Sequence, residues 1–232
     1  MAEMKFKFTI QPYQTEAVDS VAGVFAGQPF NDHFTYRRDV EIKRDIKNWM
    51  LSDEELSMGF ANAKVQLDSG QLLENIRRIQ TRNNIKLSAS LKSGGLGVCS
   101  LDVEMETGTG KTYVYIKTMF ELNKLYGWSK FIVVVPSIAI REGVQKSFKT
   151  MQEHFMEYYG KKARFFVYNS KNLTDIDNYS QSADINVMII NTQAFNARGK
   201  DARRIRTELY DFGSRRPIDV IQANRPIVIL DE

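Results

Sequence analysis

The segment Met105-Glu106-Thr107-Gly108-Thr109-Gly110-Lys111-Thr112 constrains the fold of this chain more than any other. A short apolar run at 101–105, which predicts a strand, precedes it, and an amphipathic pattern over 111–126, which predicts a helix, follows it. The two glycines let the backbone curl so that successive N–H groups point at phosphate oxygens, and the helix N-terminus adds partial positive charge. The sequence therefore predicts a phosphate-binding loop between a strand and a helix.

The residue types in this loop indicate a nucleoside triphosphate. Lys111 would reach the β- and γ-phosphates, and Thr112 would offer its hydroxyl to Mg²⁺. Met105 stands where the general pattern has its first glycine. The alternative is a glycine-rich turn that only happens to precede Lys-Thr, and the flanking strand and helix weigh against it. The residues expected to contact the nucleotide here are Glu106, Thr107, Gly108, Thr109, Gly110, Lys111 and Thr112.

Short apolar runs alternate with helical patterns from residue 98 onward. The runs lie at 101–105, 131–135, 164–168, 187–190 and 227–230, and the helical patterns cover 111–126 and 138–159. Aliphatic runs of this length are typical of strands buried on both faces of a parallel sheet. The alternation predicts an α/β fold, with a mostly parallel sheet, right-handed crossovers and helices on both faces.

The first hundred residues have a different pattern. A first helix begins near Pro12 and stops at Gly27, and further helices are indicated at 40–51, 54–65 and 72–80, without any catalytic spacing. Three glycines between 94 and 97 mark a loop. We expect residues 1–27 to belong to the main domain, 28–97 to form a helical insertion or subdomain, and 98–232 to form the α/β domain itself.

An aliphatic run at 227–230 ends in two carboxylates, Asp231 and Glu232. In phosphoryl-transfer enzymes an Asp after such a strand holds Mg²⁺, and a neighbouring Glu can polarise the attacking water. Alone, the pattern is equally that of an ordinary strand end. With a phosphate loop upstream it gains weight, because parallel strands present their carboxyl ends at one edge. We expect Lys111, Asp231 and Glu232 to be catalytic, and Thr112 and Asp231 to hold the metal.

Charge and cysteine content exclude some classes of protein. Cys99 is the single cysteine, so no internal disulfide can form, and no stretch approaches the ~20 apolar residues of a membrane span. These features predict a cytosolic protein.

The net charge of +4 permits a polyanionic partner. Residues 198–216 contain seven basic and three acidic side chains, which could border a polyanion or simply form a solvated face.

Several motifs together carry a family resemblance. They are Gln11-Pro-Tyr-Gln14, Glu74-Asn-Ile-Arg-Arg-Ile-Gln80, Glu104 to Thr112, Val134-Val-Pro-Ser-Ile-Ala-Ile-Arg-Glu-Gly143, Asn191-Thr-Gln-Ala-Phe195 and Leu230-Asp-Glu232. With them the chain resembles the restriction (Res) subunits of type III restriction-modification enzymes, which are superfamily 2 helicases. The resemblance implies a RecA-like P-loop NTPase domain, and it describes this chain as an N-terminal fragment that ends at the Walker B motif.

The resemblance also implies roles for individual residues. Gln14 matches the glutamine that reads the adenine edge, and Tyr13 would stack on the base; the alternative for Gln14 is an exposed residue of a first helical turn. Contacts to the nucleic-acid backbone are implied for Pro136, Ser137, Arg141, Asn191, Thr192 and Gln193. Arg141 could equally be a solvated helix residue, and Thr192 could cap the following helix.

A function follows from the resemblance as an expectation. The full protein would use ATP and Mg²⁺ to move along double-stranded DNA before cleaving it, together with a modification (methyltransferase) subunit and without a membrane. A second motor domain and a nuclease domain would lie beyond residue 232, so this chain alone should bind nucleotide and scarcely hydrolyse it. Residues 28–97 could contact DNA or the modification subunit. The alternatives are another superfamily 2 helicase without a nuclease, and a nucleotide-binding module without motor activity.

Overall fold

A computed structural model describes residues 8–31, 34–37, 58–95, 97–195 and 204–231. The elements, in chain order, are α1 (Pro12–Gly23), β1 (Phe34–Arg37), β2 (Met58–Ala61), α2 (Ser69–Arg82), α3 (Lys111–Tyr126), β3 (Lys130–Val135), α4 (Ile138–Tyr159), β4 (Arg164–Val167), α5 (Thr174–Gln181), β5 (Asn186–Asn191), α6 (Pro217–Ala223) and β6 (Ile227–Leu230). Two short 3₁₀ helices, Thr192–Phe195 and Tyr210–Phe212, lie between β5 and α6.

Four strands form one parallel sheet in the order β4-β5-β3-β6. The register places Val134 of β3 opposite Ile190 of β5 on one side and Leu230 of β6 on the other. Every residue of β3 is buried, as expected for a strand covered on both faces. The predicted α/β fold with a parallel sheet is confirmed.

Alternation along the strands divides the buried side chains between two cores. Phe131 and Val133 point to one face and pack with residues of α3 and α4 such as Met119 and Phe155. Ile132 and Val134 point to the other face, where residues of α5 and α6 cover them, namely Ile176, Tyr179, Val220 and Ile221. Helices therefore cover both faces of the sheet, as predicted.

The two long helices have the predicted bounds because glycines end them. Gly127 after α3 and Gly160 after α4 both have positive φ angles, 78° and 67°, which close a helix without the steric cost that a side chain would bring. The predicted helix 72–80 lies within α2, which begins with a capping box between Asp68 and Gln71. Local sequence signals were sufficient for these three elements.

Two predicted elements are wrong. Residues 101–105 are not a strand, because a strand needs a hydrogen-bonding neighbour and no described strand pairs with them. Residues 58–65 are not helical, because Met58–Ala61 pairs antiparallel with β1 instead. Gly59 lies opposite Tyr36 and allows this close pairing, since a Cβ on Gly59 would lie 2.7 Å from the Tyr36 ring. The predicted helix 40–51 lies outside the described residues.

The β1–β2 hairpin is anchored at the amino ends of the main strands. The side-chain amide of Asn62 donates to the carbonyls of Lys130, at 2.8 Å, and Arg225, at 3.1 Å, and these residues begin β3 and precede β6. The Tyr36 hydroxyl bonds Ser180 and the side chain of the fully buried Asn224. The described part of the predicted 28–97 insertion therefore includes the β1–β2 hairpin, which is attached at the amino ends of the main strands.

Within the described residues, no helix combines the length and apolar character required to cross a membrane.

Candidate nucleotide and nucleic-acid site

Both glycines of the predicted phosphate loop have left-handed backbone conformations. Gly108 and Gly110 have φ angles of 82° and 91°, in the region that side chains avoid, and Gly110 immediately precedes α3. The first N–H groups of a helix have no partner within it, so they remain available to an anion. A Cβ on Gly108 would meet nothing within 4 Å, and Lys111 is exposed. The loop thus presents backbone donors and a lysine to open space.

Residues from the start of α1 brace this loop. Both the side-chain amide of Gln14, at 2.9 Å, and the Tyr13 hydroxyl, at 3.1 Å, donate to the carbonyl of Thr109. A Cβ on Gly110 would lie 2.6 Å from the Gln14 amide nitrogen, so the two segments are in close contact. The structure brings the predicted adenine-reading pair to the predicted phosphate loop, 95 positions away in the chain.

The carboxylate after β6 reaches the same helix. The backbone N–H of Asp231 donates to the carbonyl of Val134, at 3.0 Å, which extends the sheet by one residue. The Tyr115 hydroxyl in turn donates to Oδ2 of Asp231 at 3.1 Å. Burial and the nearby Asp231 charge raise the pKa of Tyr115 well above its usual value, so this phenol stays a proton donor. Glu232 lies outside the described residues.

The oxygen atoms present here suit Mg²⁺. The Tyr115 hydroxyl joins the Asp231 carboxylate to α3, the helix whose second residue is Thr112. Mg²⁺ prefers oxygen ligands and usually keeps several waters beside one or two protein groups and substrate phosphates. No cluster of three His, Cys, Asp or Glu side chains suited to a metal occurs among the described residues, so a cage made by protein alone is not formed by them.

The predicted nucleic-acid contacts lie at the carboxyl ends of two neighbouring strands. Pro136 follows β3 and Asn191 ends β5, directly opposite Val135. The Ser137 hydroxyl accepts from the N–H of Ile140 at 3.2 Å and thereby caps α4. Within the described part of the chain, Nε of Arg141 and Oδ1 of Asn191 are buried without a hydrogen-bond partner. Thr192 and Gln193 begin the 3₁₀ helix after β5.

Part of the basic stretch 198–216 has a structural role. Arg215 pairs with Asp177 at 3.1 Å and lies 4.2 Å from the centre of the Phe212 ring, and Arg216 pairs with Asp219. These two arginines are therefore committed to contacts within the fold. Arg198, Lys200 and Arg203 lie outside the described residues.

Tyr115 lies at the site in the described part of the chain, and the sequence did not identify it. The helical pattern assigns it to the apolar face of α3, and its ring does pack against the core. A signal was present, because residues three apart lie on one face of a helix and Tyr115 follows Thr112 by three. The hydroxyl on an otherwise apolar position could have marked it.

Comparisons with known proteins identify the family of this chain. A family model described as "Type III restriction enzyme, res subunit" matches residues 73–232, more than half of the chain. The Res subunit of the type III restriction-modification enzyme EcoP15I from Escherichia coli is 30% identical over 251 residues, covering 97% of this chain and 23% of the relative.

Two further relatives carry the same description. The EcoPI Res subunit of Escherichia phage P1 is 30% identical over 189 residues, covering 74% of this chain and 19% of the relative. The StyLTI Res subunit of Salmonella typhimurium is 34% identical over 154 residues, covering 57% and 15%. The chain spans less than a quarter of the length of these curated relatives.

Proposed function

Because this chain belongs to the family of type III restriction enzyme Res subunits and carries their RecA-like, helicase-type ATPase domain, we propose that it is an ATP-dependent motor domain acting on double-stranded DNA. In the whole protein, ATP hydrolysis would drive movement on DNA and lead to its cleavage. The observation that carries the proposal is the convergence of Gln14 and Asp231, from opposite ends of the chain, on the phosphate loop and its helix.

The phosphate loop supplies the electrostatic part of ATP binding. Backbone N–H groups at the start of α3 would hold the phosphate oxygens, and the exposed Lys111 would pair with the terminal phosphates. Gln14 uses its amide nitrogen on Thr109, which leaves its oxygen to accept from the adenine amino group. Tyr13, which is 46% exposed, would stack on the base.

Thr112 and Asp231 are the residues that we propose to hold Mg²⁺. When bound with ATP, the ion neutralises charge on the phosphate oxygens during phosphoryl transfer. Thr112 would contribute its hydroxyl, and Asp231 would orient the waters on the ion through its carboxylate. Glu232, the next residue, is proposed to polarise the attacking water, a role that rests on the motif alone.

DNA would lie across the carboxyl ends of β3 and β5. We assign the backbone contacts to Pro136, Ser137, Arg141, Asn191, Thr192 and Gln193. The buried Nε of Arg141, without a partner in the described residues, supports this assignment, because an unpaired buried donor is costly and a guanidinium N–H can donate to a phosphate oxygen. Contacts of this class position a protein on DNA without reading its sequence.

The modification subunit is proposed as the protein partner, and the cytoplasm as the location, on the basis of the family. The hairpin within residues 28–97 is the candidate surface for that subunit. Its anchor at Asn62 lies at the amino ends of the strands, away from the edge proposed for ATP and DNA. A partner could therefore bind there without covering either ligand.

A nucleotide-binding measurement tests the proposal. Titration with a fluorescent ATP analogue and Mg²⁺ should show saturable binding, and Lys111→Ala should weaken it about 10- to 100-fold, because a charge-assisted contact worth about 1.5–3 kcal/mol is lost. Lys124→Ala is the matched control, since Lys124 is an exposed lysine in the last turn of the same helix and pairs with Glu121. Equal loss in both variants, or no binding by the wild type, would refute the proposal.

A further inference from the structure

Tyr115 contacts one of the two residues assigned to Mg²⁺. Its hydroxyl donates to Oδ2 of Asp231 at 3.1 Å. A side chain from the first turns of α3, three residues after Thr112, thereby holds a carboxylate 116 positions away in the chain. The link is specific to the hydroxyl, since the ring itself packs against the core with its apolar atoms.

We propose that Tyr115 is a positioning residue that fixes the Asp231 carboxylate in the orientation needed to hold Mg²⁺, an inference that rests on the proposed ATPase function. A carboxylate has about four acceptor sites, so a donor on Oδ2 restricts rotation and leaves Oδ1 for the waters of the ion. Groups that orient metal ligands in this way typically change metal affinity about 10- to 100-fold when removed.

Tyr115→Phe isolates the hydroxyl because it keeps the ring. Tyr159→Phe is the matched control: the Tyr159 hydroxyl donates to Oε1 of Glu121 at 2.8 Å, which is also a tyrosine–carboxylate bond but joins α4 to α3 away from the loop. Binding of the fluorescent ATP analogue is measured over a range of Mg²⁺ concentrations and in EDTA, and thermal unfolding is recorded for every variant.

The expected result separates an effect on Mg²⁺ binding from an effect on nucleotide binding. Tyr115→Phe should raise the Mg²⁺ concentration at half-maximal effect about 10- to 100-fold. Affinity in EDTA should change by less than about twofold, since no phosphate or base contact is removed. Tyr159→Phe should change neither quantity.

Other outcomes overturn the inference. An unchanged Mg²⁺ midpoint in Tyr115→Phe refutes it while leaving the proposed function intact, because wild-type binding and its dependence on Lys111 are measured separately. A Tyr115→Phe chain that does not fold also counts against it, since the hydroxyl would then serve the fold rather than the metal ligands. Finally, Tyr115→Phe is combined with Asp231→Asn, and equal effects of Tyr115→Phe in both backgrounds would show that Tyr115 does not act through Asp231.

Discussion

The side-chain amide of Gln14 donates to the carbonyl of Thr109 at 2.9 Å, so a residue at the start of α1 braces the loop that precedes α3. Gln14 is only 9% exposed, and the hydroxyl of Tyr13 bonds the same carbonyl. The segment proposed to read the base and the segment proposed to hold the phosphates are therefore in direct contact. A substitution at Gln14 should therefore affect contacts to both the base and the phosphates.

We expect Gln14→Ala to weaken ATP binding about 2- to 10-fold, the range of one hydrogen bond of about 0.5–1.5 kcal/mol. The ratio of ATP to GTP affinity should also fall towards one, because Gln14 is proposed to read the adenine edge. Competition of each nucleotide against the fluorescent analogue measures both effects. Gln28→Ala, which removes another buried glutamine bonded to backbone at Lys64 and Gln66, should lower stability alone. An unchanged ATP to GTP ratio in Gln14→Ala would contradict the assignment.

Gly110 should tolerate no side chain. Gly110→Ala places a Cβ 2.6 Å from the Gln14 amide nitrogen at a φ of 91°, and the left-handed backbone alone costs about 1–2 kcal/mol. We expect lower stability in urea unfolding together with weaker nucleotide binding. Gly143→Ala is the opposite control, since this residue lies within α4 with open space around it, and alanine there should stabilise by about 0.5–1 kcal/mol. Similar changes in both variants would show that the local geometry is unimportant.

Lys130 should make stability depend on pH. It is fully buried at the start of β3, its ammonium donates to the carbonyls of Tyr179 and Ser182, and burial lowers its pKa to about 7. The unfolded chain, with a pKa near 10.5, binds more protons between these values, so stability should rise with pH from about 7 towards 10.5. Below about pH 7 the fold bears the full cost of burying the charged Lys130 ammonium. Above about pH 10.5 this lysine is neutral in both the folded and the unfolded chain, so the cost is gone.

The Lys130 effect is isolated by comparing the wild type with Lys130→Met. Urea unfolding at pH 7, 8 and 9 gives a difference between the two free energies of unfolding, in which the titration of other groups largely cancels. The free energy of unfolding of the wild type should therefore increase relative to that of Lys130→Met as the pH rises. A difference independent of pH over this range would show that the pKa of Lys130 is not lowered.

Measurements of DNA binding should distinguish the role of Arg141 from that of Arg215. Arg141→Ala should weaken binding to a short DNA duplex and reduce the slope of log affinity against log salt by about 0.9, the value for one phosphate contact. Arg215→Ala should leave both quantities unchanged and lower only stability, because Arg215 pairs with Asp177 and stacks over Phe212. Fluorescence anisotropy at several salt concentrations measures both. A salt slope reduced by Arg215→Ala alone would place the DNA elsewhere.

The elements that the sequence predicted well are those with local signals. Both α3 and α4 have the predicted bounds because glycines stop them, and β3 and β5 follow from aliphatic runs that suit strands covered on both faces. The aliphatic run 227–230 also forms a strand, β6, but at the edge of the sheet, where Val228 and Leu230 are exposed. The strand expected at 101–105 and the helix expected at 54–65 were wrong, because pairing partners, and not local pattern, decide whether such segments form ladders. Few local signals marked α5 and α6, which are short.

For the site, the sequence by itself determined the chemistry: a glycine-rich loop with Lys111 and Thr112, and a carboxylate after an aliphatic strand. Only the tertiary structure decided which groups meet. It placed Gln14 on Thr109, bonded Tyr115 to Asp231, and used Arg215 for the fold. The reason is physical: backbone conformation and burial are encoded over a few residues, whereas hydrogen bonds between distant segments depend on how the helices pack on the sheet.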